Sequence, residues 1–306
     1  MNPRRQPALQ DPAAASPLST PVLALLATYF VIVWGAGFVA TRLALQSAPP
    51  LTYIAVRYAI ASGVALVAAL LMRAPWPASA AAWRHAALAG LATHAGYLAG
   101  SHYAQYWGLS AGVTALILAL QPLVTAVVAA RWLGERLSGL QRAGVGVGLG
   151  GVVLVVAHHV DLGSIPVRGL AAVAASLACV TAGTLYQRRH GAGTDLRTGV
   201  VIHLAATALV TAPLALLFEG FRITWNAPIA AALLYHVLLA SIGAFTVLHV
   251  LMRHGQATRV TSLLYLTPPV AVVCEWLLFG TPPTPLIVAG MVVVCAGVAM
   301  VTAPRH

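Results

Sequence analysis

The chain has 306 residues, 60% of them hydrophobic and only 8% charged, with a net charge of +11 and a mean hydropathy of +0.87. A soluble domain carries about 25% charged residues, so this composition excludes a water-soluble globular protein and predicts an integral membrane protein. The basic balance comes from arginines scattered singly and in pairs between apolar runs, with no lysine at all, which argues against a nucleic-acid-binding face or tail.

Residues 1–20 are rich in Pro, Ala and Ser and predict a disordered cytoplasmic segment. The apolar run that follows is too long for a cleaved signal peptide and is expected to stay as the first span. Breaking the chain at charge and Pro/Gly clusters predicts membrane-length helices near 22–47, 52–72, 84–108, 111–133, 138–158, 167–187, 198–218, 229–253, 257–280 and 284–303. The expected fold class is an all-α membrane protein with ten transmembrane helices. Placing the N-terminus in the cytoplasm puts thirteen arginines at cytoplasmic ends, against Arg42, Arg57, Arg168 and Arg222 on the other side. That bias predicts that both termini are cytoplasmic, in a bacterial-type inner membrane.

The first span carries Trp34 and Phe38. The third is unusual: "THAGYLAGSHYAQYWG" (93–108) is polar and aromatic in an otherwise greasy chain. At about 100° per residue, Gly90, His94, Tyr97, Ser101 and Gln105 share one stripe, with His102 on its shoulder. Polar groups in lipid need partners or a wet cavity, so this stripe is expected to face inward and contact substrate. The competing reading is interhelical hydrogen bonding, worth about 0.6 kcal/mol per contact. Tyr106 and Trp107 read as an outer aromatic belt.

Between the third and fourth spans, "GLSAG" (108–112) matches the nucleophile elbow G-x-S-x-G around Ser110, but it lies in a turn with no strand before it and no evident acidic partner. The fourth span contains Gln121 and Pro122. In the fifth, "GVGVGLGG" (144–151) contains G-x-G-x-x-G in mid-span, a surface for close helix approach rather than a dinucleotide loop. The sixth carries Thr181, the eighth His249, and the ninth Tyr265, Pro268, Pro269 and Glu275. Glu275 sits near the outer interface, where a structural hydrogen bond is expected rather than proton coupling. Cys179, Cys274 and Cys295 lie singly in apolar runs and read as core residues.

The chain resembles itself. At an offset of 147, Gly108 matches Gly255, Val113 matches Val260, Thr114 matches Thr261, Leu116 matches Leu263 and Pro122 matches Pro269. At 146, Gly144 matches Gly290 and Gly151 matches Gly297. Each half then holds five spans, an odd number, so the second half is upside down relative to the first. Two inverted five-helix repeats, 21–158 and 165–303, predict a substrate site near the midplane between them. The same offset pairs His102 with His249, His94 with Ser241 and Trp34 with Thr181. The expected substrate-binding set is Trp34, Phe38, His94, Tyr97, Ser101, His102, Gln105, Gln121, Thr181, His249 and Tyr265, on helices 1, 3, 4, 6, 8 and 9. Pro122, Pro268 and Pro269 are expected hinges, whose displaced carbonyls at Leu118 and Tyr265 are free to accept bonds from a substrate. Helices 5 and 10 are expected to pack closely, within or between subunits.

"WGAGFVATRLAL", "PPLTYIAVRYAIA", "SAGVTALILALQPLVTAVVAARWLGERLS", "GTLYQRR" and "SLLYLTPPVAVVCEWLLFG" resemble the EamA-type drug/metabolite transporter superfamily, over residues 22–302. The resemblance implies ten helices in two inverted repeats and export of small metabolites, among them aromatic and other amino acids. One departure stands out: the Gly-Glu that often follows the family's ninth helix, present in the first half as "LGERLS", reads "FGTPPTP" here. The expected function is secondary export of amino acids or similar metabolites by alternating access. A carrier of another small solute, such as a drug or nucleobase, stands as the alternative, and an intramembrane serine hydrolase as the distant one. No enzyme activity, metal or cofactor is expected. Expected partners are a small-molecule substrate and membrane lipids, with no nucleic acid, in a monomer or homodimer.

Overall fold

In the computed structural model, the structure describes residues 19–132, 137–161, 167–191, 194–244, 247, 250, 251 and 264–302. Residues 1–18 of the expected disordered segment 1–20, His249 and the repeat turn at 253–259 lie outside the described residues, while Thr20 already begins the first helix. Among the described residues the secondary structure is helical. The helices are α1 (Thr20–Ala44), α2 (Pro50–Leu71), α3 (Ala80–Gly90), α4 (Tyr97–Tyr106), α5 (Ala111–Leu118), α6 (Gln121–Trp132), α7 (Gly139–Asp161), α8 (Val167–His190), α9 (Leu196–Glu219), α10 (Ala227–Leu234), α11 (Thr267–Phe279) and α12 (Pro285–Thr302). A π-helical turn, Leu91–Gly96, joins α3 to α4, and a longer one, Tyr235–Ala244, extends α10.

Six helical stretches are long and apolar enough to cross a membrane, Pro21–Ala44, Pro50–Leu71, Ala111–Trp132, Val167–His190, Leu196–Glu219 and Pro285–Thr302. Shorter apolar helices cover Gly139–Val155, Ala227–Ser241 and Thr267–Phe279. The protein is a multi-pass membrane protein.

Local chemistry sets the boundaries. Pro lies in the first turn of α1, α2, α10 and α11, where its missing N–H is not needed. Ser79, Ser110, Asp195 and Asn226 cap α3, α5, α9 and α10 by accepting from Ala82 N, Val113 N, Arg197 N and Ile229 N. Gly220 and Gly280 end α9 and α11 in the left-handed conformation that favours glycine. The expected continuous helix 111–133 is interrupted at residues 119–120. Pro122 has no N–H to give to Leu118 O, and its ring crowds that carbonyl, so α5 stops at Leu118 and α6 starts afresh.

Among the described residues α7 and α12 share the most extensive helix contact. A Cβ on Gly144 would sit 2.7 Å from Gly297 O, and one on Gly151 would sit 2.9 Å from Val294 N and 3.0 Å from Gly290 O. Gly144 and Gly290 are repeat mates, as are Gly151 and Gly297. The contacts cross, Gly144 to Gly297 and Gly151 to Gly290, as they do about a two-fold axis that exchanges the halves. The expected packing of these helices occurs within one chain. A second glycine seam joins the third span to α8: Cβ atoms on Gly100 and Gly183 would meet Ala172 O at 2.6 Å and Ala92 Cβ at 2.8 Å. Small residues let membrane helices approach where no hydrophobic force between them exists.

Candidate functional site

A cavity of about 480 Å³ lies between these helices. His94, Tyr97, Ser101 and His102 of the third-span stripe line it, with Trp34 and Phe38 from α1, Gln121 and Pro122 from α6, and Tyr265. Ser241, the repeat mate of His94, also lines it. Gln105 and Thr181 are buried but off the lining. Gln105 is one turn beyond Ser101, level with the closed end described below. Pro268 and Pro269 stand in the first turn of α11, after the 3₁₀ turn Leu264–Leu266, and are not on the wall. The Tyr265 carbonyl expected to be free accepts from Cys295 Sγ at 3.1 Å.

The cavity draws on more helices than expected. Arg57 and Tyr58 bring in α2, and Leu196, Gly199 and His203 bring in α9. Arg57, placed by its sequence position at the end of a span, lies about 10 Å along α2 from Pro50 and is 8% exposed. Arg57, Tyr58 and His203 carried a signal of one kind, an ionisable side chain inside an apolar run, whereas Leu196 and Gly199 carried none. His94 lies between Tyr58 and His203, its ring tilted to both, at centroid distances of 5.6 and 5.7 Å. His236 bonds Tyr53 OH at 2.6 Å and Gly37 O at 3.2 Å, which ties the π segment to α1 and α2. Gln121 donates to Thr184 Oγ1 at 3.1 Å. His102 faces Ser101 Oγ through Nδ1 at 3.2 Å, while its Nε2 has no partner.

The two ends of the cavity differ. Toward the 190–196 connection the wall includes exposed Gln187 and Leu196, with Thr194 and Asp195. Asp195 is fully engaged: its carboxylate accepts from Arg197 Nε at 3.0 Å and Nη2 at 2.9 Å, and this bonding holds its pKa down at about 2. At the other end two carboxylates bolt helices together. Glu219, at the end of α9, accepts from Leu51 N (3.0 Å), Thr52 N (2.8 Å), Thr52 Oγ1 (2.8 Å) and Tyr103 OH (2.7 Å). Glu275, on α11, accepts from Ala111 N at 3.1 Å and Gly112 N at 2.9 Å and pairs with Arg42. Each carboxylate thus satisfies the orphan N–H groups of a helix N-terminus, where the macrodipole favours negative charge. Glu275 has the structural bonding expected for it. Nearby, Ser110 spends its hydroxyl as an N-cap.

The EamA-like transporter family matches the chain twice, over residues 21–157 and 167–303. This protein belongs to that family. Among the relatives of the EamA chain is the "Uncharacterized transporter YvbV" of Bacillus subtilis (strain 168), 26% identical over 291 residues, covering 91% of this chain and 90% of the relative. The "Uncharacterized inner membrane transporter YedA" of Escherichia coli (strain K12) is 27% identical over 84% of this chain and 86% of its own. A "Probable amino-acid metabolite efflux pump" of Salmonella typhimurium (strain LT2) is 25% identical over 89% and 92%. A crystal structure of a protein 23% identical superposes with a TM-score of 0.64, over 92% of this chain and 97% of that one, a likeness of fold alone. The EamA protein is a transporter, and the cavity lies between its two matched units.

Proposed function

We propose that this EamA protein is a secondary transporter of the cytoplasmic membrane that exports small metabolites, amino acids above all, by alternating access. The observation that carries this reading is the cavity of about 480 Å³, lined from both EamA units, reached from the 190–196 end and bolted at the other by Glu219 and Glu275. Its volume falls within the roughly 300–1,000 Å³ of small-molecule sites. In this reading the helical runs make ten spans in two inverted repeats, 21–158 and 165–303. The arginine bias makes the 190–196 end cytoplasmic, so the cavity faces inward and awaits cytoplasmic substrate. Relatives named as amino-acid metabolite efflux pumps favour amino acids over other solutes. The residues proposed to meet substrate are Trp34, Phe38, His94, Tyr97, Ser101, His102, Gln121 and Tyr265. The breaks at Pro122 and at Pro268–Pro269 are proposed as the places where the helices bend during exchange.

Purified protein in proteoliposomes should show saturable counterflow of one or more labelled amino acids. Absence of counterflow across a panel of amino acids, nucleobases and cationic drugs would remove the carrier reading. Reporter fusions at both ends should read cytoplasmic. Outward-facing reporters at both ends would invert the mouth assignment and with it the direction of export, and an outward C-terminus alone would break the ten-span count and the inverted repeat.

A further inference from the structure

Arg57 is buried on the cavity wall without a counter-charge. Its Nε has no hydrogen-bond partner, and no carboxylate pairs with it among the described residues. Its guanidinium lies over the Tyr58 ring, 5.1 Å from the centroid. The carboxylates that could have served it are taken: Glu219 by α2 and Tyr103, Glu275 by Arg42 and α5, Asp195 by Arg197. A guanidinium cannot shed its proton to escape burial. Native proteins keep a charge in this setting where it is paired or where it marks a ligand path. Lining the same cavity is the unpartnered Nε2 of His102, itself 1% exposed. The lining also has an apolar and aromatic part, with Trp34, Phe38 and Leu118.

We propose that Arg57 is the anion seat of this cavity, pairing its fork of N–H donors with the carboxylate of a small monocarboxylate whose apolar body lies against Trp34 and Phe38. His102 Nε2 is positioned to complete the polar contact. The proposal rests on the cavity being the transported substrate's site. It also orders the recognition: the carboxylate is required, whereas an α-amino group is not, because among the described residues the lining holds no unpaired acid to meet an ammonium.

The test compares L-phenylalanine, 3-phenylpropionate, L-phenylalaninamide and phenethylamine as probes, titrated against purified protein by tryptophan fluorescence and thermal shift. The two carboxylates should bind within a few-fold of each other, and the amide and amine at least ~30-fold more weakly, the usual loss when one partner of a buried charge pair is removed. Arg57→Met should bring the carboxylates down to the level of the amide while raising the melting temperature of the ligand-free protein, because a buried uncompensated charge is gone. Arg57→Lys should recover part of the binding, as a point charge without the fork. Equal binding of acid and amide by the wild type, binding of none of the probes, or a lowered ligand-free melting temperature in Arg57→Met with carboxylate binding unchanged would each overturn it. Should Arg57→Met fail to fold, the wild-type ratio of acid to amide and the Arg57→Lys titration still decide. Carboxylate binding through Arg57 without counterflow would leave this inference standing and remove the export reading. Counterflow of amines as fast as of acids would do the reverse.

Discussion

Leucine in place of Gly297 should cost the folded protein about 3 kcal/mol or more, at or beyond the upper end of overpacking penalties. A Cβ at this position would run into the Gly148 backbone and lie 2.7 Å from Gly144 O. These are main-chain atoms of α7, so no side-chain rotation relieves the clash, and the two helices have to separate. Gly146 and Gly150 lie on the same glycine run, yet nothing stands within 4 Å of a Cβ on either, and both are exposed. Leucine at Gly146 should therefore leave the melting temperature in detergent unchanged, while leucine at Gly297 should abolish a monodisperse peak or lower the midpoint steeply. Equal tolerance of the two substitutions would mean that α7 and α12 do not meet through these glycines.

Glu275→Ala should open the bolted end. The substitution strands Ala111 N and Gly112 N and leaves Arg42 without its carboxylate. The Arg42 side chain is 36% exposed, so solvent recovers part of the loss. The remaining cost, about 2 kcal/mol, comes chiefly from unsatisfied N–H groups at the start of α5, and corresponds to about a 30-fold shift in population. Thr41 lines the cavity and is 3% exposed. With Cys179, Cys274 and Cys295 replaced by alanine, a cysteine at Thr41 should react slowly with a membrane-impermeant thiol reagent applied outside intact cells. Adding Glu275→Ala should speed that reaction by about 30-fold. Unchanged labelling would show that Glu275 braces α5 without governing access.

The sequence made the helices and their polar stripe legible, because twenty apolar residues and a cluster of His, Tyr and Ser in one of them need no tertiary information. His94, Tyr97, Ser101 and His102 line the cavity as the 100° spacing suggests. The glycine pairs of α7 and α12 were visible because the repeat doubles them. What was not legible is which face each remaining helix turns inward. Lipid and protein interior are equally apolar, so a membrane helix need not write its buried face as a stripe. Arg57 was misread for this reason: one arginine near the start of a span reads equally as an end charge or a wall charge, and only the packing of α2 against its neighbours separates the two. Glu219 drew no reading from the sequence, since its partners at Leu51, Thr52 and Tyr103 are more than a hundred residues away. The interruption at 119–120 was half legible: Pro122 located it, but a proline alone does not distinguish a kink from a break.

The bolts at Glu219 and Glu275 have a consequence for the direction of work. Both carboxylates come from the second EamA unit and close on helix starts of the first. At the repeat offset of 147 their mates are Met72 and Val128, neither of which can accept a hydrogen bond of this kind. A carrier with matched ends would wait with equal patience on either side of the membrane. Among the described residues this pattern of lock stands at one end only, so under the alternating access proposed above the empty carrier is expected to rest open toward the 190–196 end.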